Sequence, residues 1–308
     1  MRWFLGVIGT IHGSSIECPL LASSVDDLIT VAVRGDDGAT LQLIVDTGAA
    51  GVVLFSQEAS PSNDHAVTFQ GANIGHLRHH NRGLTLLCAP QLPVGASSAL
   101  EGDPQPSDLG NVADGILGLG GRGFTTNPSF LFSSEAPKWS EVTIHVFENG
   151  GGHLSFRLEQ VPEIRGIPTV SNYYWAVALT GIRIGSTHVP SSDHQAGTIV
   201  IFDTGSNFFG ASSRLFASLI QAIGESNCNE PLTLVLALSE EITFPAKSLT
   251  LEDGKCDKLA IAQVDQSRFG DVADRQVIIV GTRGLRGKSI SLIKGTSKAG
   301  QSVYLHLS

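Results

Sequence analysis

Apolar side chains in this chain come mostly in short unbroken runs. Residues 28–33, 41–46, 198–202 and 277–281 consist largely of Val, Ile and Leu, and turn-forming residues separate such runs. Runs of this length bounded by turn signals read as strands buried on both faces. One stretch breaks the rhythm. After Ser212 and Ser213, apolar residues fall at 215, 216, 219, 220 and 223, the period of an amphipathic helix with either serine as its cap. The pattern predicts an all-β chain, mainly strands with short helices.

Composition supports a folded chain of that kind. Of 308 residues, 42% are hydrophobic and 16% charged, enough apolar surface to offset the entropy of ordering and to fill two cores of ordinary size. The 35 glycines and 13 prolines suit many turns. A formal charge of −9 without a dense basic run excludes a nucleic-acid partner. No apolar stretch is long enough for a membrane-spanning helix. Arg2 followed by the apolar stretch 3–11 and then "HGSS" has the form of a short signal peptide, or of a first β-strand.

The four cysteines, Cys18, Cys88, Cys228 and Cys256, show neither CxxC spacing nor clustered histidines, so neither a metal nor another cofactor is expected. Cys228 and Cys256 flank two strand-like runs around a polar turn, and such a hairpin could bring its ends close enough to bridge. The pairing of Cys18 and Cys88 stays open. His76, His79 and His80 have helical spacing but lie among Gly, Asn and Arg, and read as a solvated loop. Residues 118–123 spell GxGxxG, yet Pro128 stands where a dinucleotide-binding helix would have to continue.

The chain also repeats itself. The run ending at 46 is followed by Asp46-Thr47-Gly48, and the one ending at 202 by Asp203-Thr204-Gly205, 157 residues later. Each is followed, at nearly the same distance downstream, by two apolar residues and a glycine: Ile116-Leu117-Gly118 and Ile279-Val280-Gly281. Either tripeptide alone would be an ordinary turn. The matched pair implies two similar lobes related by an approximate twofold axis, each ending a buried strand on its aspartate. Such a carboxylate is costly unless hydrogen bonds hold it, which the threonine hydroxyl and the following amides could supply. If the twofold brings Asp46 and Asp203 to about 3 Å, both cannot readily ionise, and the pair keeps one proton through mild acid. One carboxylate can then deprotonate water while the other carboxyl protonates a carbonyl oxygen, which hydrolyses an amide with neither metal nor covalent intermediate.

These residues resemble the pepsin-like aspartic proteases over about 28–308. "VDTGAAGVVLF" and "FDTGSNFFGAS" match the family's two active-site loops, "ADGILGLG" the segment behind the first, and "YYWAVALTGIRIG" the strands opening the second lobe. The shared proton described above is the known behaviour of that family's pair. The resemblance implies a bilobed fold of two pseudo-twofold-related β-barrel-like lobes with a cleft between them. It further implies an acid-pH endopeptidase acting on an extended polypeptide as a monomer. An N-terminal segment (1–27) would precede an N-terminal lobe (28–165) and a C-terminal lobe (166–308). Asp46 and Asp203 would be catalytic, with Thr47, Gly48, Thr204, Gly205 and Ser206 supporting them. The family's second-lobe disulfide would be Cys228–Cys256, which points to the secretory pathway, either secretion or an acidic vacuole-like compartment.

Three departures bear on activity. Ala49 stands where the family has a serine hydroxyl beside the first carboxylate, whereas Ser206 keeps its counterpart. The flap candidate "VTFQGANIG" (67–75) puts Phe69, with Gly71 nearby, at the place of the family's flap tyrosine, and the three tyrosines lie at 173, 174 and 304. Val53 takes the place of the tryptophan that usually accompanies that tyrosine. Val53, Phe69 and Ile116 would line or back the cleft and favour apolar side chains. The same departures define the alternative, a protein of this fold that binds peptides or proteins without cutting them.

Overall fold

The computed structural model describes residues 11–12, 15–23, 27–55, 66–69, 72–101, 113–121, 130–132, 139–159, 166–190, 197–251, 255–297 and 300–308. The apolar runs form strands Ile29–Gly35, Thr40–Asp46, Thr198–Phe202 and Gln276–Val280. In the last two every residue is buried, so an unbroken apolar run was required there. Residues 1–10, most of the signal-like stretch, lie outside the described residues.

The sequence repeat is also a repeat of topology. Strand Thr40–Asp46 runs parallel to Gly115–Gly118, which is antiparallel to Val52–Phe55, itself parallel to Ala89–Glu101. In the second half Thr198–Phe202 runs parallel to Gln276–Val280, antiparallel to Phe209–Ser212, itself parallel to Ile261–Val264. Each aspartate strand therefore lies beside the apolar-apolar-Gly triplet of its own half. The glycines ending those triplets are needed because the aspartate loops cross over them. A Cβ on Gly118 would lie 2.5 Å from the Ala50 carbonyl carbon, and one on Gly281 would overlap the Ser206 carbonyl oxygen.

An antiparallel array joins the halves. It runs in the order Ile167–Pro168, Gly300–Leu307, Lys288–Ser297, Glu141–Val146, Gly152–Arg157 and Ser15–Ala22, and passes through Leu21 opposite Thr30 into the first-half sheet. Glu141–Val146 alternates half-buried and buried residues, the mark of a sheet with one wetter face. Strand Lys288–Ser297 thus pairs with Glu141–Val146 of the first half. One apolar cluster, including Phe156, Trp175, Phe202 and Phe244, runs through both halves.

Helix Ser213–Glu225 buries Leu215, Leu219, Ala222 and Ile223, as the spacing predicts. Ser212 occupies the cap position but makes no side-chain capping bond; its hydroxyl instead accepts from the Val277 amide at 3.3 Å. The histidines read as a loop lie in strand Ala72–Leu86, whose extended backbone removes the meaning of their helical spacing. That strand pairs with Ala66–Phe69 through Phe69 opposite Ala72, so the flap candidate is a hairpin. Gly71 and the side chain of Phe69 lie outside the described residues.

Both cysteine pairs are bridged. Cys228–Cys256 closes the hairpin of Leu232–Leu236 and Glu241–Phe244 with Cα atoms 5.6 Å apart, and Cys18–Cys88 ties the joining array to the first half at 5.3 Å. The enclosed separations are 28 and 70 residues. On the loop-closure account, removing Cys228–Cys256 costs about 3.5 kcal/mol and removing Cys18–Cys88 about 4.5 kcal/mol. Urea unfolding of the two double-serine variants checks this, with the Cys18→Ser/Cys88→Ser protein expected to be the less stable.

Candidate active site

Asp46 and Asp203 reach the same place because their strands end at a crossing of the two halves. The Asp203 amide donates to Val280 O at 3.0 Å, and the Leu119 amide donates to Asp46 O at 2.7 Å, so each strand end is held by its own triplet strand. The threonines then lock the halves together. Thr47 Oγ1 donates to Phe202 O (2.7 Å) and accepts from the Thr204 amide (3.0 Å). Thr204 Oγ1 donates to Val45 O (2.7 Å) and accepts from the Thr47 amide (3.2 Å). Both threonines are 0% exposed. The sequence reading gave these hydroxyls to the neighbouring carboxylates; the structure gives them to the opposite half. Backbone groups at a buried crossing need partners, and the opposing hydroxyl is the group within reach.

The carboxyls are held by other donors. Asp46 Oδ1 accepts from the Gly48 amide at 2.7 Å, and the Ala49 amide adds a second backbone bond. Asp203 Oδ1 accepts from the Gly205 amide at 3.0 Å and its Oδ2 from the Ser206 hydroxyl at 2.8 Å. The Asp203 carboxyl stands close enough to that of Asp46 to act on its ionisation. Each lies against the glycine of the opposite loop: a Cβ on Gly48 would stand 2.8 Å from Asp203 Cγ, and one on Gly205 would overlap the Asp46 carboxyl. Glycine is obligatory at both places because the opposing carboxyl occupies the space of a side chain. Asp46 is 5% exposed. Burial, then the adjacent Asp203 charge, push its carboxyl well above the usual 3.8 against the pull of the Gly48 and Ala49 amides.

Val53 and Ile116 do not face this pair openly. They are buried with Leu28, Ile44 and Ala113 in a cluster under the Asp46 strand, and Ala49 packs on its edge. They back the site from behind. Among the described residues no group of three or more His, Cys, Asp or Glu could hold a metal ion, and no helix is long and apolar enough to cross a membrane.

Tyr174 was not expected at the site from sequence. Its phenol is pushed up to about 12, first by burial and then by the charges of Asp203, Asp271 and Asp46, so it stands in the field of both carboxyls. The only signal was its place in "YYWAVALTGIRIG", where the neighbouring apolar residues disguise it as strand. The turn that carries it contacts both halves: the Trp175 indole donates to Leu119 O at 2.7 Å and the Gly121 amide to Tyr173 O at 2.6 Å.

The structure of an aspartic proteinase from Irpex lacteus matches 96% of this chain and 97% of its own, with a TM-score of 0.65 and 17% sequence identity. The fold is the bilobed pepsin-like one. At that identity the likeness concerns the fold alone. No family model and no curated protein matches the sequence.

Two outcomes follow. Thr204→Val removes the hydroxyl but keeps the volume, leaving the Thr47 amide and Val45 carbonyl buried without that partner; the expected loss is about 2–5 kcal/mol in denaturant unfolding. The raised Asp46 carboxyl gives a pH signature. The folded chain keeps this proton where the unfolded chain releases it, so the contribution is complete below 3.8 and is lost as pH rises from there through the raised folded value. Stability of the wild type relative to Asp46→Asn should fall with rising pH in that window, by at most about 1.4 kcal/mol per pH unit. A pH-independent difference in melting would contradict the assignment.

Proposed function

We propose that this chain is an aspartic-type endopeptidase that hydrolyses peptide bonds with a water activated between Asp46 and Asp203. One observation carries the reading: two carboxyls from opposite halves meet at a buried crossing, each filling the side-chain space of the opposing loop's glycine, and Asp46 is pushed well above its usual range by burial and by Asp203. Asp203, to which the Ser206 hydroxyl donates, serves as the general base and Asp46 as the general acid. Asp203 takes a proton from the entering water as its oxygen attacks the scissile carbonyl carbon, and Asp46 gives its proton to the carbonyl oxygen. Return of the proton from Asp203 to the amide nitrogen lets the tetrahedral intermediate break into acid and amine. Asp46 regains its proton from the collapsing hydroxyl, so the pair ends as it began.

The remaining assignments go with that chemistry. The lobes are 28–165 and 166–308, the substrate an extended polypeptide, and the hairpin bearing Phe69 and Gly71 lies over the bound chain. The buried cluster of Val53 and Ile116 supports the Asp46 loop from behind. Disulfides Cys18–Cys88 and Cys228–Cys256 suit an oxidising, secretory compartment, and a pair needing one proton suits mild acid.

Hydrolysis of unstructured peptides between pH 3 and 7, with and without a statine-type inhibitor, tests the reading. Turnover should be highest on the acid side and blocked by the inhibitor, and Asp203→Asn should lower kcat by about 10²–10⁴-fold, the usual worth of a general base. Tight inhibitor binding without turnover would replace this reading with the peptide-binding one that Ala49 and the absent first-lobe tyrosine favour.

A further inference from the structure

The turn 171–174 that carries Tyr174 is anchored at its end by the fully buried Trp175, and its amides are held from the other half of the chain's second lobe. Ser171, only 9% exposed, begins that turn, and its hydroxyl accepts from both the Tyr173 and Tyr174 amides at 3.0 Å. The hydroxyl proton is donated to Asp271 Oδ1 at 2.8 Å, and Asp271 Oδ2 accepts from the Asn172 amide at 2.6 Å. A single carboxylate, a hundred residues away in sequence, thus fixes three successive amides, one directly and two through a serine. Asp271 lies in the short 3-10 turn Gly270–Val272, next to Phe269, whose ring meets that of Tyr174 edge-on at 5.8 Å. Val272 packs in the same apolar cluster as Ile279 of the second triplet, with Tyr174 against it. The ring of Tyr174 is therefore held between the Asp271 turn and the strand that backs Asp203.

We propose that Asp271 is a positioning residue of the peptide site: through Ser171 and the Asn172 amide it sets the turn that presents Tyr174 as the wall beside Asp203, where the bound polypeptide passes. The inference rests on the endopeptidase reading. The phenol keeps its proton throughout the acid and neutral range and remains a neutral surface beside the charged pair. The first half holds the far side of the same turn through Leu119 and Gly121, so releasing Asp271 loosens the Tyr174 end and leaves the Trp175 anchor in place. Asp271 is exposed and acts on the turn through Ser171 and the Asn172 amide, so its loss should act on binding more than on the chemical step.

The test compares wild type, Asp271→Ala, Asp271→Asn, Tyr174→Phe, Tyr174→Ala and Asp271→Ala/Tyr174→Ala in the full chain. Each is measured for KM, kcat, statine-type inhibitor affinity and melting temperature. Asp271→Ala should raise KM and weaken the inhibitor by about 5–10-fold, the worth of one or two lost hydrogen bonds, with a smaller change in kcat. Asp271→Asn keeps one carbonyl acceptor and should fall between. Asp271→Ala should add little in the Tyr174→Ala background, because the group it positions is already gone. Tyr174→Phe separates the contribution of the ring from that of its hydroxyl. Full additivity in the double variant, or a lowered melting temperature with KM and inhibitor affinity unchanged, overturns the inference while leaving the endopeptidase reading intact. A wild type that neither cuts peptides nor binds the inhibitor overturns both.

Discussion

The structure depends on a buried crossing at which two threonines exchange hydrogen bonds. Neither Thr47 nor Thr204 can satisfy its opposite number unless the halves meet in one orientation, because each hydroxyl must accept from one amide and donate to one carbonyl across the axis. Four hydrogen bonds in an unexposed place are hard to shift without leaving polar groups stranded. The carboxyls need do nothing to hold the halves together, which frees them to face each other.

That contact would be unfavourable were both groups charged. The chain answers with an asymmetry inside its approximate twofold. Backbone amides reach both carboxyls, but only Asp203 has a hydroxyl donor, Ser206; the matching position is Ala49. Asp46 is the more deeply buried, and burial followed by the Asp203 charge pushes its carboxyl up against the pull of its backbone amides. An approximately symmetrical frame thus places two residues of the same type in surroundings that differ by one hydroxyl.

The frame behind the pair is built for closeness. Gly48 and Gly205 let each loop touch the opposing carboxyl, and Gly118 and Gly281 let the triplet strands lie under the loops. Around it, the antiparallel array places strand Lys288–Ser297 beside Glu141–Val146 of the first half, so relative movement of the halves would have to distort paired backbone. A second tie lies at the Leu119–Gly121 and Tyr173–Trp175 contact, close to the site. On its other side that turn is gripped by Asp271, which couples the wall of the site to the second-half core.

Local pattern was enough to read strands Thr198–Phe202 and Gln276–Val280 and helix Ser213–Glu225, because burial on both faces or on one helical stripe leaves a periodic mark in the chain. The doubled Asp-Thr-Gly with its doubled triplet was likewise enough to foresee two halves around a pair of aspartates. Other features had no such mark. His76, His79 and His80 lie in a strand because their partners on Ala89–Glu101 are residues a local reading does not weigh. Ser212 spends its hydroxyl on Val277 rather than on its helix, and the threonine hydroxyls serve the opposite half rather than their own aspartates. Asp271 meets the turn that carries Tyr174 solely through contacts about a hundred residues apart in sequence. The amino-acid sequence by itself determined which segments are strands and which two carboxyls are equivalent, since those follow from local burial period and repetition. Tertiary structure alone decided which hydroxyl meets which amide and how deeply each carboxyl is buried, because hydrogen bonds and desolvation depend on neighbours that the chain brings together only on folding.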